Sequence, residues 1–367
     1  MQKQIYLDYN ATSPIRADVI QKMVAVMEEG GNPSSVHASG RRARNIVEDA
    51  RRQVAALAGS KPQEIIFTSG GTEANNMVLH GFTDRRLMIS AGEHDSMRTQ
   101  EGAIEVSLLP NGLVNLDHLK EVLTASEKPA LVSIMMANNE TGVIQPIAEI
   151  AEIVHEAGGL LHTDAIQAFG KTSFNFKELG ADLMTLSSHK IGGPQGVGAL
   201  ILREGLVMKP LQKGGGQELG RRGGTENVAG IAGFGLAAEQ AKEELETYQH
   251  LADLRHKMEI EIQSQSGAKI FGGDVTRLPN TACIQMPGVP SELQVMNFDL
   301  AGIAVSAGSA CSSGKVKASH VLTAMGFDEE VASQSLRVSM GRGTTEKDVD
   351  TFVQAWKKLY ERNSHKK

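Results

Sequence analysis

The chain of 367 residues is poor in cysteine and has no long apolar run. Its two cysteines, Cys283 and Cys311, cannot build a disulfide framework, which fits a reducing compartment. No stretch nears the roughly 18 apolar residues that a bilayer span requires. The start, Met1-Gln-Lys-Gln-Ile-Tyr-Leu-Asp8, carries no apolar signal core. A cytoplasmic protein with no membrane partner is expected. Positive charge is not in excess either. A net charge of −6 gives no general attraction for nucleic acid. Low-complexity segments and internal repeats are missing as well. What is plentiful is glycine: 39 residues, many clustered, imply several tight turns or loops that approach a ligand.

The chain is organised around Ala181-Asp-Leu-Met-Thr-Leu-Ser-Ser-His-Lys190. Leu183, Met184 and Leu186 form a short apolar run that stops at two serines, a histidine and a lysine. Gly192, Gly193 and Pro194 follow. This pattern predicts a buried strand emptying into a loop. Lys190 would stand at the mouth of a cleft, where open α/β sheets keep their chemistry. A lysine among apolar neighbours can lose its proton and attack a carbonyl. Taken alone, Ser-Ser-His-Lys also fits an ordinary solvated loop.

Other segments repeat the theme. Glu64–Thr68 reads as a strand, Ser69–Thr72 as a turn and Glu73–His80 as a helix. The glycines would let the backbone approach a ligand, and the helix start would offer free N–H groups to a phosphate. A plain tight turn fits the same residues. Arg86–Ser90, Pro129–Ala137, Gly159–Thr163 and Gly198–Leu202 are further strands, the last of them antiparallel. Helices are expected over Ala17–Glu29, Ser39–Ala58 and Ile147–Ala157. The arginines of the second helix (Arg41, Arg42, Arg44, Arg51, Arg52) are interrupted by Glu48 and Asp49, and read as a solvated face. Alternating strands and helices predict a mainly parallel sheet covered on both faces. Thr68, His94, Asn139, Asp164 and Lys190 would then share one sheet edge and converge on one ligand.

Residues 15–250 are expected to form this large α/β domain. A small-residue helix near Asn227–Ala238 leads into a long charged helix over Ala238–Gln265. Residues 1–14 and 251–367 are expected to form a smaller α+β domain. Its strands are Thr281–Met286, Ile303–Ser306 and Ser335–Val338. Its helices are Glu292–Leu300, Ser319–Met325 and Glu346–Glu361, the last packed by Phe352, Trp356 and Leu359. Cys283, in an apolar strand, reads as core. Cys311 lies among Ser, Gly and Ala, which cannot form a core, and a thiol there could deprotonate and act as a nucleophile.

Taken in order, these motifs resemble the cysteine desulfurases, pyridoxal-phosphate (PLP) enzymes of the class V aminotransferase group with fold type I. The resemblance rests on Leu7-Asp-Tyr-Asn-Ala-Thr12, Asn32-Pro-Ser-Ser35, Thr68-Ser-Gly-Gly-Thr-Glu73 and Asn138-Asn-Glu-Thr-Gly142. It continues through His162-Thr-Asp-Ala165 with Gln167, Ser187-Ser-His-Lys190, Arg221-Arg-Gly-Gly-Thr225 and Ser306-Ala-Gly-Ser-Ala-Cys311-Ser-Ser-Gly314. It covers nearly the whole chain.

The resemblance implies specific roles. Lys190 would carry PLP as a Schiff base and Asp164 would face the pyridine nitrogen. By itself Asp164 reads as a helix cap or turn residue, and His94 as structural. By resemblance, His94 would stack on the ring and move protons. Gln167 and Asn139 would bond the ring hydroxyl oxygen. Gly71, Thr72, Ser187 and His189 would hold the phosphate. Thr225 would reach the phosphate of a partner subunit, which implies a homodimer. Arg337, in preference to Arg342, would grip the carboxylate of L-cysteine, with Asn10 on the substrate side. Cys311 would receive the sulfur as a persulfide, leaving alanine, and pass it to an acceptor protein in iron–sulfur assembly or another sulfur-using pathway. No metal site is implied. A selenocysteine lyase, a related PLP lyase, a non-catalytic sulfur carrier and a nucleotide-binding protein are the competing expectations. Two departures from the pattern bear on the acceptor. Ala318 stands where relatives often have proline. The chain ends at Asn363-Ser-His-Lys-Lys367, without the longer tail that docks an iron–sulfur scaffold.

Overall fold

The computed structural model describes residues 4–264, 268–308 and 318–364. The expectation for Cys311 therefore falls outside the described residues.

Seven strands form the central sheet. Their spatial order is Ile65–Thr68, Gly198–Leu202, Leu183–Ser187, Leu160–Asp164, Ala130–Ser133, Arg86–Ser90, Ile104–Val106. Every pairing is parallel except the two made by Gly198–Leu202, which runs against both its neighbours. The chain turns back at Ser188–Lys190, so the lysine sits just beyond the sheet edge. Four inner strands, Gly198–Leu202, Leu183–Ser187, Leu160–Asp164 and Ala130–Ser133, are buried at every position, as expected of a sheet covered on both faces.

Side chains alternate between the two covers with the two-residue period of a strand. Ile65, Phe67, Met184 and Ile201 join the larger apolar cluster, with Val47 and Val54 of the helix Ala38–Ala58 and Phe234 of Val228–Glu243. Ile66, Leu183, Leu200 and Leu202 join the opposite cluster, with Ala74, Met77 and Val78 of the helix Gly71–Gly81. The Ala38–Ala58 helix is closed at both ends. His37 accepts from the Gly40 N–H, and Gly59 ends it with a φ of 69°, a conformation that glycine adopts without a side-chain clash.

A second, smaller assembly lies C-terminal in the chain. Ser306–Ala307, Ser335–Ser339 and Thr281–Gln285 make an antiparallel sheet, and Ile5–Tyr6 pairs in parallel with Ile303–Ala304. Leu7, Ile284, Phe298, Leu336, Phe352 and Trp356 share one core there. The N-terminal segment then runs on toward the large sheet. The Ser13 N–H donates to the His189 carbonyl, and Asp8 bridges to Ser339.

Several expectations need correction. The long charged helix over Ala238–Gln265 is broken into Val228–Glu243, Leu245–Tyr248 and His250–Gln263. At the break, both Glu244 carboxylate oxygens accept from Arg16 at 2.7 Å, and its carbonyl accepts from the Thr247 hydroxyl. The strand expected over Ile303–Ser306 is two, separated at Val305. The ladder of Pro129–Ala137 stops at Ser133. The edge strand Ile104–Val106 was not anticipated. Arg51 is not part of a solvated face: it is buried and holds both Glu218 oxygens at 2.8 and 2.9 Å. Breaking such a buried pair from one side typically costs about 3–5 kcal/mol. Among the described residues, no helix is long and apolar enough to cross a membrane.

Candidate active site

A cavity of about 160 Å³ opens at the edge where the parallel strands end. Nine of the expected residues line it: Gly71, Thr72, His94, Asn139, Asp164, Gln167, Ser187, His189 and Lys190. The topology explains the convergence, because each belongs to a strand end or to the loop that follows one.

The lysine's surroundings are built from backbone. Lys190 Nζ donates to the carbonyls of Asn10 and Ala11 at 2.6 and 2.8 Å. Burial and the nearby Arg337 cation push its amine down to about 8, against the pull of Asp164 and Asp8. A larger share of amine is thus unprotonated near neutrality than in a solvated lysine, as a nucleophile or base requires.

Asp164 ends its strand fully desolvated, and burial raises its proton affinity. Two donors oppose this: Asn75 Nδ2 at 3.0 Å and the Ile166 N–H at 3.0 Å. Glu93 is also buried, and burial with the nearby Asp164 charge holds its carboxyl well above the usual range. Of the two acids, Asp164 is the one with donors to both oxygens, so it is the better placed to stay ionised.

His94 caps the short helix Asp95–Arg98, its Nδ1 accepting from the Ser96 N–H at 3.1 Å. Asn75 Nδ2 in turn donates to Ser96 Oγ at 2.9 Å and to Asp164. The sequence reading missed Ser96 and Asn75, which tie His94 to Asp164, and the lining residues Met135 and Ile166. Only the helical spacing from Thr72 to Asn75 pointed toward the cavity. His189 bonds Thr12 Oγ1 at 3.1 Å, and burial, with the adjacent Lys190 amine, pushes its imidazole down to about 4.

The remaining residues divide. Asn10 is buried beneath Lys190; its side chain donates to the Asn139 carbonyl and to Thr281 Oγ1. Arg337 lies on the small sheet, buried, with Nη2 on Asp8 at 2.8 Å and Nη1 on the Asn139 carbonyl at 3.2 Å. Among the described residues its buried Nε has no hydrogen-bond partner. Arg342 is instead anchored on Ser13 and the Pro14 carbonyl. Thr225 is exposed and does not line the cavity. Among the described residues no cluster of His, Cys, Asp or Glu could hold a metal ion.

The residues present fit PLP. The helix Gly71–Gly81 begins after Gly70, which offers no side-chain cap, so its first N–H groups are left to an anion. A Cβ on Gly71 would meet Ile166 Cδ1 at 2.1 Å, so a side chain would close the cradle that glycine leaves. A buried carboxylate at one end and a lysine of lowered proton affinity beside it complete the donor set.

Residues 5–352 match the family model described as aminotransferase class-V, and the chain belongs to that family. It is 40% identical to the cysteine desulfurase IscS of Dictyoglomus turgidum, over 99% of this chain and 96% of that protein. Among solved structures it is similar to a NifS-like protein of Rickettsia africae, with a TM-score of 0.92, 40% identity, and 98% and 99% of the two chains covered. It also matches SspA, solved in complex with cysteine, with a TM-score of 0.78, 30% identity, and 92% and 98% coverage.

Proposed function

We propose that this protein is a PLP-dependent cysteine desulfurase. One observation carries the reading: Lys190, Asp164, Gln167, Asn139 and His94 line one cavity in a chain 40% identical to a cysteine desulfurase. PLP, when bound, supplies an electron sink for the α-carbon of an amino acid. Gly71, Thr72, Ser187 and His189 would hold its phosphate, Asp164 would serve its ring nitrogen, and Gln167 and Asn139 would bond its ring oxygen.

Lys190 is the tether and the base at the substrate α-carbon, which its lowered proton affinity suits. Arg337 orients L-cysteine by its carboxylate. Its fork is already held planar by Asp8 and the Asn139 carbonyl, so little freedom is lost on binding. His94, whose Nδ1 is committed to Ser96, moves protons at the cavity through its other ring nitrogen. Cys311 takes the sulfur. The substrate Cβ–S bond breaks, a sulfur–sulfur bond forms on Cys311, and L-cysteine plus thiol becomes L-alanine plus persulfide. The protein works as a homodimer in the cytoplasm, Thr225 serving the partner's phosphate, and the persulfide passes to a protein acceptor.

Incubation with L-cysteine and a reductant, with alanine and sulfide both measured, tests this reading. Equal yields are expected, with Cys311→Ala abolishing sulfide while keeping PLP. Turnover of selenocysteine alone, or sulfide release undiminished in Cys311→Ala, would overturn it.

A further inference from the structure

Lys171 is a buried lysine for which the reaction above has no use. It is 1% exposed and does not line the cavity. Its two recorded acceptors are amide oxygens: Gln167 Oε1 at 2.6 Å and Asn10 Oδ1 at 2.8 Å. An ammonium without a carboxylate would be costly at such a site. Burial, with Lys190 and Arg337 nearby, holds the amine well below the usual lysine range. A neutral amine has two N–H donors, and the two amide oxygens take both.

Those oxygens belong to the residues that frame Lys190. Gln167 Nε2 donates to the Asn10 carbonyl at 3.0 Å, the same oxygen that accepts from Lys190 at 2.6 Å. Asn10 Oδ1 has a second donor in Asn280 at 3.2 Å. Among the described residues Lys171 is the donor to Gln167 Oε1. An amide can turn over and exchange oxygen for nitrogen at little steric cost. The Asn10 carbonyl on Nε2 and the Lys171 amine on Oε1 therefore fix the orientation of the amide together.

We propose that Lys171 is a positioning residue that locks the Gln167 amide with its N–H toward the bound coenzyme's ring oxygen. The proposal rests on the PLP reading. Without Lys171, the amide would keep only its contact with the Asn10 carbonyl, and the donor to the ring oxygen would be held less firmly.

The test is a double-mutant cycle on the PLP-loaded protein, reading the pH midpoint of the coenzyme's visible absorbance, with PLP affinity of the apo protein as a second readout. Lys171→Met should raise the midpoint by about half to one pH unit and weaken PLP about threefold to tenfold, the size of one lost hydrogen bond. In a Gln167→Ala background, the same substitution should change neither quantity. Lys171→Gln, which keeps a donor, should lie between the two and serves if the Met variant does not fold. An unchanged midpoint in Lys171→Met, or an equal shift in both backgrounds, would overturn the proposal, since a purely structural role would move the melting temperature alone. If the unmutated protein captures no PLP, the reading beneath the proposal fails instead.

Discussion

The large sheet's carboxyl edge lines the cavity, the small three-stranded sheet touches that edge through Arg337 on the Asn139 carbonyl, and the two handle charge in opposite ways. At the large sheet, Lys190, Lys171, Asp164, Glu93 and His189 are desolvated and held mainly by neutral partners, so their proton affinities move. At the small sheet, the guanidinium of Arg337 is ion-paired with Asp8 at 2.8 Å. Proton transfer needs groups that can change state, whereas holding a carboxylate needs a charge that does not. The division of labour follows from which groups are given counter-ions.

Substitutions can break that comparison, in descending order of effect. Lys190→Ala should remove alanine formation by about 10⁴-fold or more, since nucleophile and base are lost together. It should also abolish the visible absorbance of bound PLP, measured by spectroscopy. Asp164→Asn keeps the shape but loses the carboxylate, and kcat should fall about 10²–10³-fold, the scale of one preorganised electrostatic contact. Arg337→Met should raise KM for L-cysteine about tenfold to hundredfold with a smaller change in kcat, as expected for a lost charged hydrogen bond. If kcat fell as far as in Asp164→Asn, the two regions would not be separable.

The smallest effect concerns acid stability. His162 is fully buried between Ser133 and Thr185, and burial pushes its imidazole down to about 3 from 6.5. His189 is pushed down to about 4. At these two histidines the unfolded chain binds more protons below pH 6.5, so their contribution to apo stability should fall as pH drops from about 6.5 toward 4, against the opposite contribution of the raised Glu93 and Asp164 carboxyls. His162→Gln should make that fall in melting temperature shallower. The lowered Lys190 amine works in the alkaline window, where stability should rise as pH goes from about 8 toward 10.5.

Much of this was legible in the sequence because it lies on strand ends. Apolar runs stopped by polar residues marked Asp164 and Lys190, and parallel pairing brought them together; Thr68, on a strand joined through the antiparallel Gly198–Leu202, does not line the cavity. Asn75 was hidden because a polar residue inside a helix looks solvent-facing until the packing is known. It is instead 0% exposed and reaches Asp164. Lys171 was hidden for the converse reason: a lysine after Gly170 reads as surface, but the turn Ala165–Phe169 folds it back onto Gln167. The strand Ile104–Val106 has three residues, too few for a periodicity to register. The break at Glu244 depends on Arg16, which no local pattern reveals.

The central claim is that Lys190 carries the coenzyme. Borohydride reduction of the PLP-loaded protein, followed by proteolysis and mass spectrometry, tests it most directly. The account predicts a pyridoxyl group on the Lys190 peptide and none on Lys171. A stable adduct on any other lysine, or no adduct at all, would contradict it.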